Sequence, residues 1–592
     1  MISTTGRVTL LFLLLSVILT WPLAANLTTQ VIGPFHGDNL EYVWKIWWVK
    51  HALLDLGQSP LLQPEVYYPY GYPLAYGEIT PIHTYVGVPF TALLGPIATY
   101  NLFILTSFVT SGLFCYLFVR ELTGSAPAGV LAGVVFAFCP YRMARVAGNL
   151  PLVDTQWIPL FILFLERFSS RHRRRDAVLA GLVFAAGALS SWYYGLALAT
   201  LAPLYLLART RPRQRGDWQR WVQGALFFTV TAAVLVLPFL LPYFEIQQSG
   251  AATVPLEQAA FWSASLTDYL TPNPRHVWWG EWVQNQLTPF SDGLPYEFLL
   301  GWGLFPTILA LYGWRRGDSA ARRGWGWWIG IALLLSLGPV VMVFRQVVAL
   351  PATAGLATAV NNGLDWLGTH SLAGEPFSLA AAGHIAIPLP ALLLRWFVPG
   401  LAGIRSWGRF AIFATFGIAT LGGIGTATFL RERESKSPGR PTWQQWGVTC
   451  VLAGLVVFEF FTGRQSLISP GPRPVDEWLA NQPDQVTLIQ MPLVVALSGP
   501  QMYYTMHHGQ RVAGGYGTYL PILFETWYPE LKEFPSDEAI ELLAGWDGGG
   551  VDLVLIDEAD VPAGDPIWEA VAGQSRLQLE TTVNRVRVYR IQ

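Results

Sequence analysis

The sequence predicts a polytopic α-helical membrane protein ending in a small soluble α/β unit. Three observations predict it. Of 592 residues, 52 % are hydrophobic and only 13 % charged, with mean hydropathy +0.37; a soluble protein carries about 25 % charged residues. Long apolar segments recur through residues 1–464, and composition then shifts, so that 465–592 holds many of the acids. Tryptophan and tyrosine are abundant, as belts at a membrane–water interface require. A net charge of −2 gives no reason to expect nucleic acid as a partner. Cys115, Cys139 and Cys450 all fall in apolar runs, so neither disulfides nor a metal–thiolate site is expected.

Residues 8–27 form the first apolar run, after Arg7. Spanning takes about 20 apolar residues, so this reads as an anchor with its N-terminus cytoplasmic. A signal peptide cleaved near Leu23-Ala24-Ala25 is the alternative. Further segments lie near 101–119, 126–139, 151–168, 177–190, 195–208, 220–244, 297–313, 325–348, 409–429 and 444–462. Four connectors are basic: Arg171 with Arg173, Arg174 and Arg175; Arg209 with Arg211, Arg213, Arg215 and Arg220; Arg315 with Arg316, Arg322 and Arg323; Arg431 with Arg433, Lys436 and Arg440. Short basic loops stay cytoplasmic, and counting from an inside N-terminus puts all four inside. Residues 81–98 and 384–400 are broken by prolines and read as interfacial or re-entrant pieces. The count is about 11 crossings, with about 13 as the alternative. It leaves outside the loops 28–100, 140–150, 245–296 and 350–408, the tip Ser191-Trp192-Tyr193-Tyr194, and the tail from about 465. In the tail, 485–491 and 551–556 read as buried strands, 475–481 and 535–545 as helices, and 576–591 as a hairpin. That makes a core of about 125 residues.

The loop 28–100 carries the chemistry-bearing residues. His36-Gly37-Asp38-Asn39-Leu40-Glu41-Tyr42 follows the first apolar run, and Gly77-Glu78 lies in an otherwise acid-free stretch. If a helix starts at Asn39, Asp38 is its N-cap and Glu41 sits three residues on, the pattern of a capping box. The chemical alternative is that Asp38 takes a proton from an attacking hydroxyl or amine. Glu41 and Lys45, four apart, read as an ordinary surface pair. Glu78 is a second acid, a metal ligand with His83, an acceptor for a substrate hydroxyl, or simply a solvated loop acid; a divalent cation stays open. Cations for an anionic leaving group are Arg142 and Arg145, Arg275 and His276, and Arg405 and Arg409. Snorkelling to the headgroups is the plain alternative for each. Trp192, Tyr193 and Tyr194 offer ring faces to a substrate, though an interfacial belt explains them as well, and Glu41, Tyr42, Tyr70 and His83 complete the substrate-binding candidates. In the tail, 502–508 and Gly514-Gly515-Tyr516-Gly517 read as a loop facing the membrane part; the glycines lack the context of a nucleotide-binding fingerprint.

A long first outer loop with an early acid, many crossings and an outer soluble C-terminal unit together resemble the GT-C glycosyltransferases. That superfamily includes oligosaccharyltransferases, protein O-mannosyltransferases and aminoarabinose transferases. The pieces carrying the resemblance are Gly37-Asp38, Pro69-Tyr70-Gly71, Gly77-Glu78, Pro140-Tyr141-Arg142, and Ile404-Arg405 with Arg409-Phe410. The resemblance implies a polyprenyl-phosphate sugar donor, a glycan, lipid or protein acceptor on the outer face of a bacterial inner membrane, and inversion at the sugar carbon. It makes Asp38 and Glu78 the catalytic acids and Arg405 the first candidate for the donor phosphate, with Arg142 second. A transporter or lipid-linked sugar flippase is the competing class, but no internal repeat is visible and the charges cluster at outer ends. A non-catalytic assembly factor on the same fold is the third reading.

Overall fold

The computed structural model describes residues 3–209, 215–248, 254–288, 295–436, 442–519 and 521–592; Arg211, Arg213 and Arg440 of the basic loops lie outside these. Every long apolar segment is helical over much of its length. The helices that frame the site are α1 (Thr4–Leu19), α2 (Asn39–Lys50), α3 (Pro96–Thr123), α4 (Ala126–Ala137), α5 (Trp157–Arg171), α6 (Arg174–Ser190), α7 (Trp192–Arg209), α8 (Arg215–Gln248), α9 (Leu304–Arg316), α10 (Ser319–Ser336), α11 (Ala411–Lys436) and α12 (Thr442–Phe460). Among the described residues, four helical stretches are long and apolar enough to cross a membrane by length and composition: Pro96–Thr123, Ala126–Arg145, Trp218–Phe244 and Trp407–Lys436. A helix apolar all round is either core or lipid-facing. The apolar 18-residue stretch of the last is buried throughout and its helix packs on α9, α10 and α4, whereas the corresponding stretch of Trp218–Phe244 is mostly uncovered.

The two proline-broken stretches do not form single helices. The first gives Pro81–Thr84 and Val88–Leu94, ended by Gly95 at φ +83°, before Pro96 opens α3. The second gives a strand, His384–Ala386, and a short helix, Pro390–Phe397. The apolar run 325–348 is shorter as a helix than its composition suggests: α10 stops at Ser336, and Met342–Val343 and Gln346–Val347 form a small hairpin.

The tail holds a five-stranded sheet. Its strands in chain order are β3 (Thr487–Met491), β4 (Arg511–Val512), β5 (Leu553–Asp557), β6 (Leu577–Val583) and β7 (Val586–Ile591), after β1 (Val31–Ile32) and β2 (Leu467–Ile468) elsewhere in the chain. The spatial order is β4-β3-β5-β7-β6, with β4, β3 and β5 parallel and β7 antiparallel to both its neighbours. β3 and β5 are buried along their whole length, as parallel strands covered on both faces are. Residues 502–508 are not loop, as the sequence suggests, but the end of helix α13 (Val495–His508), which caps into Gly509 at φ +65°.

Three seams join the tail to residues 28–100. β1 pairs antiparallel with β2, matching Val31 to Ile468. Tyr68 N donates to Val512 O at 2.9 Å and Val512 N to Glu65 O at 2.8 Å. α13 packs on α2, where the Trp44 indole donates to Thr505 at 2.9 Å. The tail is therefore docked on the segment that carries Asp38 and Glu78.

Among the membrane helices, close approach rests on small residues. A Cβ built on Gly133 of α4 would sit 2.6 Å from the Gly112 carbonyl oxygen of α3 and 2.5 Å from the Phe12 ring of α1. Gly133→Leu is expected to cost about 1–3 kcal/mol by overpacking. Gly447→Leu, at a position with no atom within 4 Å, is expected to cost far less. Thermal unfolding of the two variants in detergent checks this.

Candidate active site

Asp38 stands at the N-cap position of α2, but its side chain caps nothing. Its Oδ1 instead accepts from the Tyr516 phenol of the tail at 2.5 Å. The capping-box reading is thereby corrected: this carboxylate is held by a tail residue rather than spent on its own helix. The Asn39 amide donates to Ile32 O at 3.2 Å and secures the helix entry.

Glu41 and Lys45 do pair, but the pair is buried, not on the surface. Burial pushes the Glu41 carboxyl up to about 6, with Lys45 opposing. The Lys45 ammonium also donates to the Glu78 carbonyl at 3.2 Å. Gly77 is required here, because a Cβ would lie within 3 Å of the Lys45 ammonium, Glu41 Oε1 and the Tyr72 hydroxyl. The same short loop is pinned from α8: Ile79 N donates to the Tyr243 hydroxyl at 3.0 Å, which donates to Gly77 O at 3.2 Å. These bonds place Glu78 without using its carboxylate, which has no hydrogen-bond partner among the described residues. Burial raises the Glu78 carboxyl, with Arg409 and Lys45 opposing, and Asp38 and His83 are its other ionisable neighbours. Tyr42 sits between the acids, with Glu78, Glu41, Asp38 and Arg409 around its phenol, which burial raises.

The arginines divide by how far the fold uses them up. Arg142 donates to Ala137 O at 2.5 Å, Val153 O at 2.8 Å and Ser107 at 2.8 Å, and lies over the Phe108 ring. Its guanidinium is spent inside the fold, which removes it as the second phosphate candidate. Arg145 and Arg409 share one carboxylate: Glu297 Oε2 accepts from Arg145 at 2.8 Å and Oε1 from Arg409 Nη2 at 2.8 Å and Nε at 3.2 Å. Each guanidinium also stacks on a ring, Arg145 on Tyr141 at 3.5 Å and Arg409 on Tyr193 at 4.2 Å. Arg409 Nη1 has no hydrogen-bond partner among the described residues. Arg405 is exposed, its guanidinium 5.8 Å from the Trp262 ring and without an ion pair among the described residues. Tyr519 connects these groups, with Tyr193, Glu78 and Arg405 as its charged or phenolic neighbours.

Other expected site residues are used elsewhere. His83 faces Asp154 at 2.9 Å, both buried, and not Glu78. No group of three or more His, Cys, Asp or Glu gathers for a metal among the described residues. His276 stacks on Trp279 at 3.3 Å and spends both ring nitrogens, one on Phe458 O and one on the Trp278 N–H. It holds the 272–279 turn against the end of α12 and leaves the phosphate set. Arg275 is exposed beside Tyr296. Tyr70 donates to Asp547 of the tail, a docking contact rather than a free sugar platform. Trp192 packs edge-on against Tyr243 at 5.4 Å.

Sequence reasoning missed Glu297, Asp154, Tyr243 and Tyr516's contact. Glu297 opens the apolar run 297–313, and Asp154 is a lone acid ahead of the run that forms α5. A carboxylate in an otherwise acid-free apolar run is the signal Glu297 offered; Asp154 shares its segment with Glu166 and stood out less.

Several known proteins are similar to this chain. Residues 44–362 match the family described as Domain of unknown function (DUF6311). The oligosaccharyltransferase AglB from Archaeoglobus fulgidus, in complex with an inhibitory peptide and a dolichol-phosphate, is 13 % identical over 94 % of this chain and 70 % of its own, at TM-score 0.45. ArnT from Cupriavidus metallidurans, bound to undecaprenyl phosphate, is 14 % identical over 99 % of this chain and 98 % of its own, at TM-score 0.44. The apolipoprotein N-acyltransferase of Azotobacter vinelandii is 30 % identical over 195 residues, 29 % of this chain. The chain spans about a third of that curated relative's length, 36 %.

Removing Glu297 would strand two buried cations. Glu297→Ala is expected to destabilise by about 3–5 kcal/mol, the cost of breaking a buried pair from one side. Glu121→Ala, which breaks the exposed contacts to Arg167 and Arg171, is expected to cost under about 1 kcal/mol. Thermal unfolding of both variants checks the difference.

Proposed function

The chain belongs to the DUF6311 family, and from that premise we propose that it is a membrane glycosyltransferase of GT-C type. It moves a sugar from a polyprenyl-phosphate-linked donor to an acceptor on the outer face of the membrane. The N-terminus is cytoplasmic, the chain makes about 11 crossings, and the unit 465–592 lies outside. The observation that carries this reading is the pairing of a carboxylate not used by its own helix, Asp38, with the Glu78 carboxyl and the free edge of Arg409 around Tyr42.

Each step follows from those groups. The acceptor O–H or N–H attacks the sugar carbon while Asp38 takes its proton. The bond from that carbon to the phosphate oxygen breaks, and polyprenyl phosphate leaves with the electron pair. The carbon inverts, since attack and departure lie on opposite faces. Arg405 and the unspent Arg409 Nη1 hold the leaving phosphate; a guanidinium suits two phosphate oxygens at once. Glu297 keeps Arg409 charged and aimed, and Tyr193 supports its face. Glu78, its carboxyl raised by burial, hydrogen-bonds a sugar hydroxyl. A sugar phosphate is already activated, so no covalent intermediate is needed.

The test is sugar release from radiolabelled polyprenyl-phosphate sugars by the purified protein. Asp38→Asn is expected to lower transfer by about 10²–10⁴-fold, the usual contribution of a general base, with donor binding unchanged. Full activity in Asp38→Asn removes Asp38 as the base. No binding of any polyprenyl donor by the wild type favours the transporter class.

A further inference from the structure

The tail loop reaches the membrane-side carboxylate by an over-determined route. Tyr67 N donates to Gly514 O at 3.3 Å on one side of Tyr516, and Tyr519 N to Tyr76 O at 2.8 Å on the other. Between them a Cβ at Gly515 would strike the Tyr67 ring, and one at Gly517 would sit 3.0 Å from the Tyr72 hydroxyl. The two glycines let the loop lie flat on residues 67–76 and deliver one long side chain, Tyr516, to Asp38 at 2.5 Å. Without that bond the Asp38 carboxylate has no hydrogen-bond partner among the described residues, and it is surrounded by Glu41, Tyr42, Glu78, Tyr100 and Tyr296.

We infer that Tyr516 is a positioning residue for Asp38, so that the reaction centre is completed by the C-terminal unit and exists only while that unit is docked. This rests on the transferase reading for the base role of Asp38, but the contact itself does not. A phenol O–H donating to one carboxylate oxygen fixes the rotation of the group. It leaves the other oxygen free to take the acceptor's proton. A loosely held carboxylate would reach that geometry only part of the time.

The experiment uses the full chain and the variant Tyr516→Phe, which keeps the ring packed and removes only the hydroxyl. Two quantities are read: the rate at which a carbodiimide modifies Asp38, followed by peptide mass spectrometry at fixed pH, and kcat with donor affinity measured separately. Modification of Asp38 is expected to quicken several-fold, because the occupied oxygen becomes accessible. The kcat is expected to fall about tenfold, the size of one charge-assisted hydrogen bond, with donor affinity and unfolding temperature unchanged. An unchanged modification rate overturns the proposal whatever happens to transfer. Faster modification in the variant, beside a wild type that transfers no sugar, keeps Tyr516 as the residue holding Asp38 and removes the transferase reading.

Discussion

One buried carboxylate ties three distant parts of the helical region together. Glu297 accepts from Arg145, in the turn after α4, and from Arg409, at the entry to α11, and it stands itself just before α9. In a low-dielectric interior neither arginine is tolerable without it, nor it without them. Three connections from distant parts of the sequence are thus drawn to one point by charge. The same bridge leaves Arg409 Nη1 without a hydrogen-bond partner among the described residues, with Tyr193 against the guanidinium face and Glu78 among its charged neighbours. A device that holds the fold thereby also prepares a cation, and Arg405, 5.8 Å from the Trp262 ring, has no ion pair among the described residues.

The second constraint is the seam between the first outer loop and the tail. Backbone bonds between 65–76 and 512–519, with aromatic packing of Trp44, Tyr67 and Tyr72, leave little freedom to either side. Asp38 and Glu78 sit at its rim. The acids are borne by the membrane part and the phenol by the tail, so the site is a property of the docked chain rather than of either piece. At Gly77 and Gly515 a Cβ would come within 3 Å of neighbouring side chains, and at Gly517 it would sit tightly, 3.0 Å from the Tyr72 hydroxyl.

Much of the helical part was legible because apolar runs and arginine-rich connectors are strong local signals. The strands at 487–491 and 553–557 and the hairpin from 577 to 591 were legible from their apolar and β-branched runs. The helix at 495–508 was not, because Pro500, Gly499 and a run of aromatics disguise it. Of the site, Asp38 and Glu78 stand out in the sequence because acids are scarce near membrane segments. Which arginine is free cannot be read locally: Arg142 and Arg405 look alike in sequence, and only packing shows that backbone carbonyls hold the first while the second has no ion pair among the described residues. His83 likewise finds Asp154 across 71 positions, a partner no spacing rule suggests.

The central claim is that a polyprenyl-phosphate group seats between Arg405 and the open edge of Arg409, beside Asp38 and Glu78. The most direct measurement is an experimental structure of the full chain with a polyprenyl phosphate bound. The account predicts phosphate oxygens within hydrogen-bonding distance of Arg405 and Arg409, on the outer side of Tyr42. A phosphate seated at Arg275, or deep between helices away from the two acids, would contradict it.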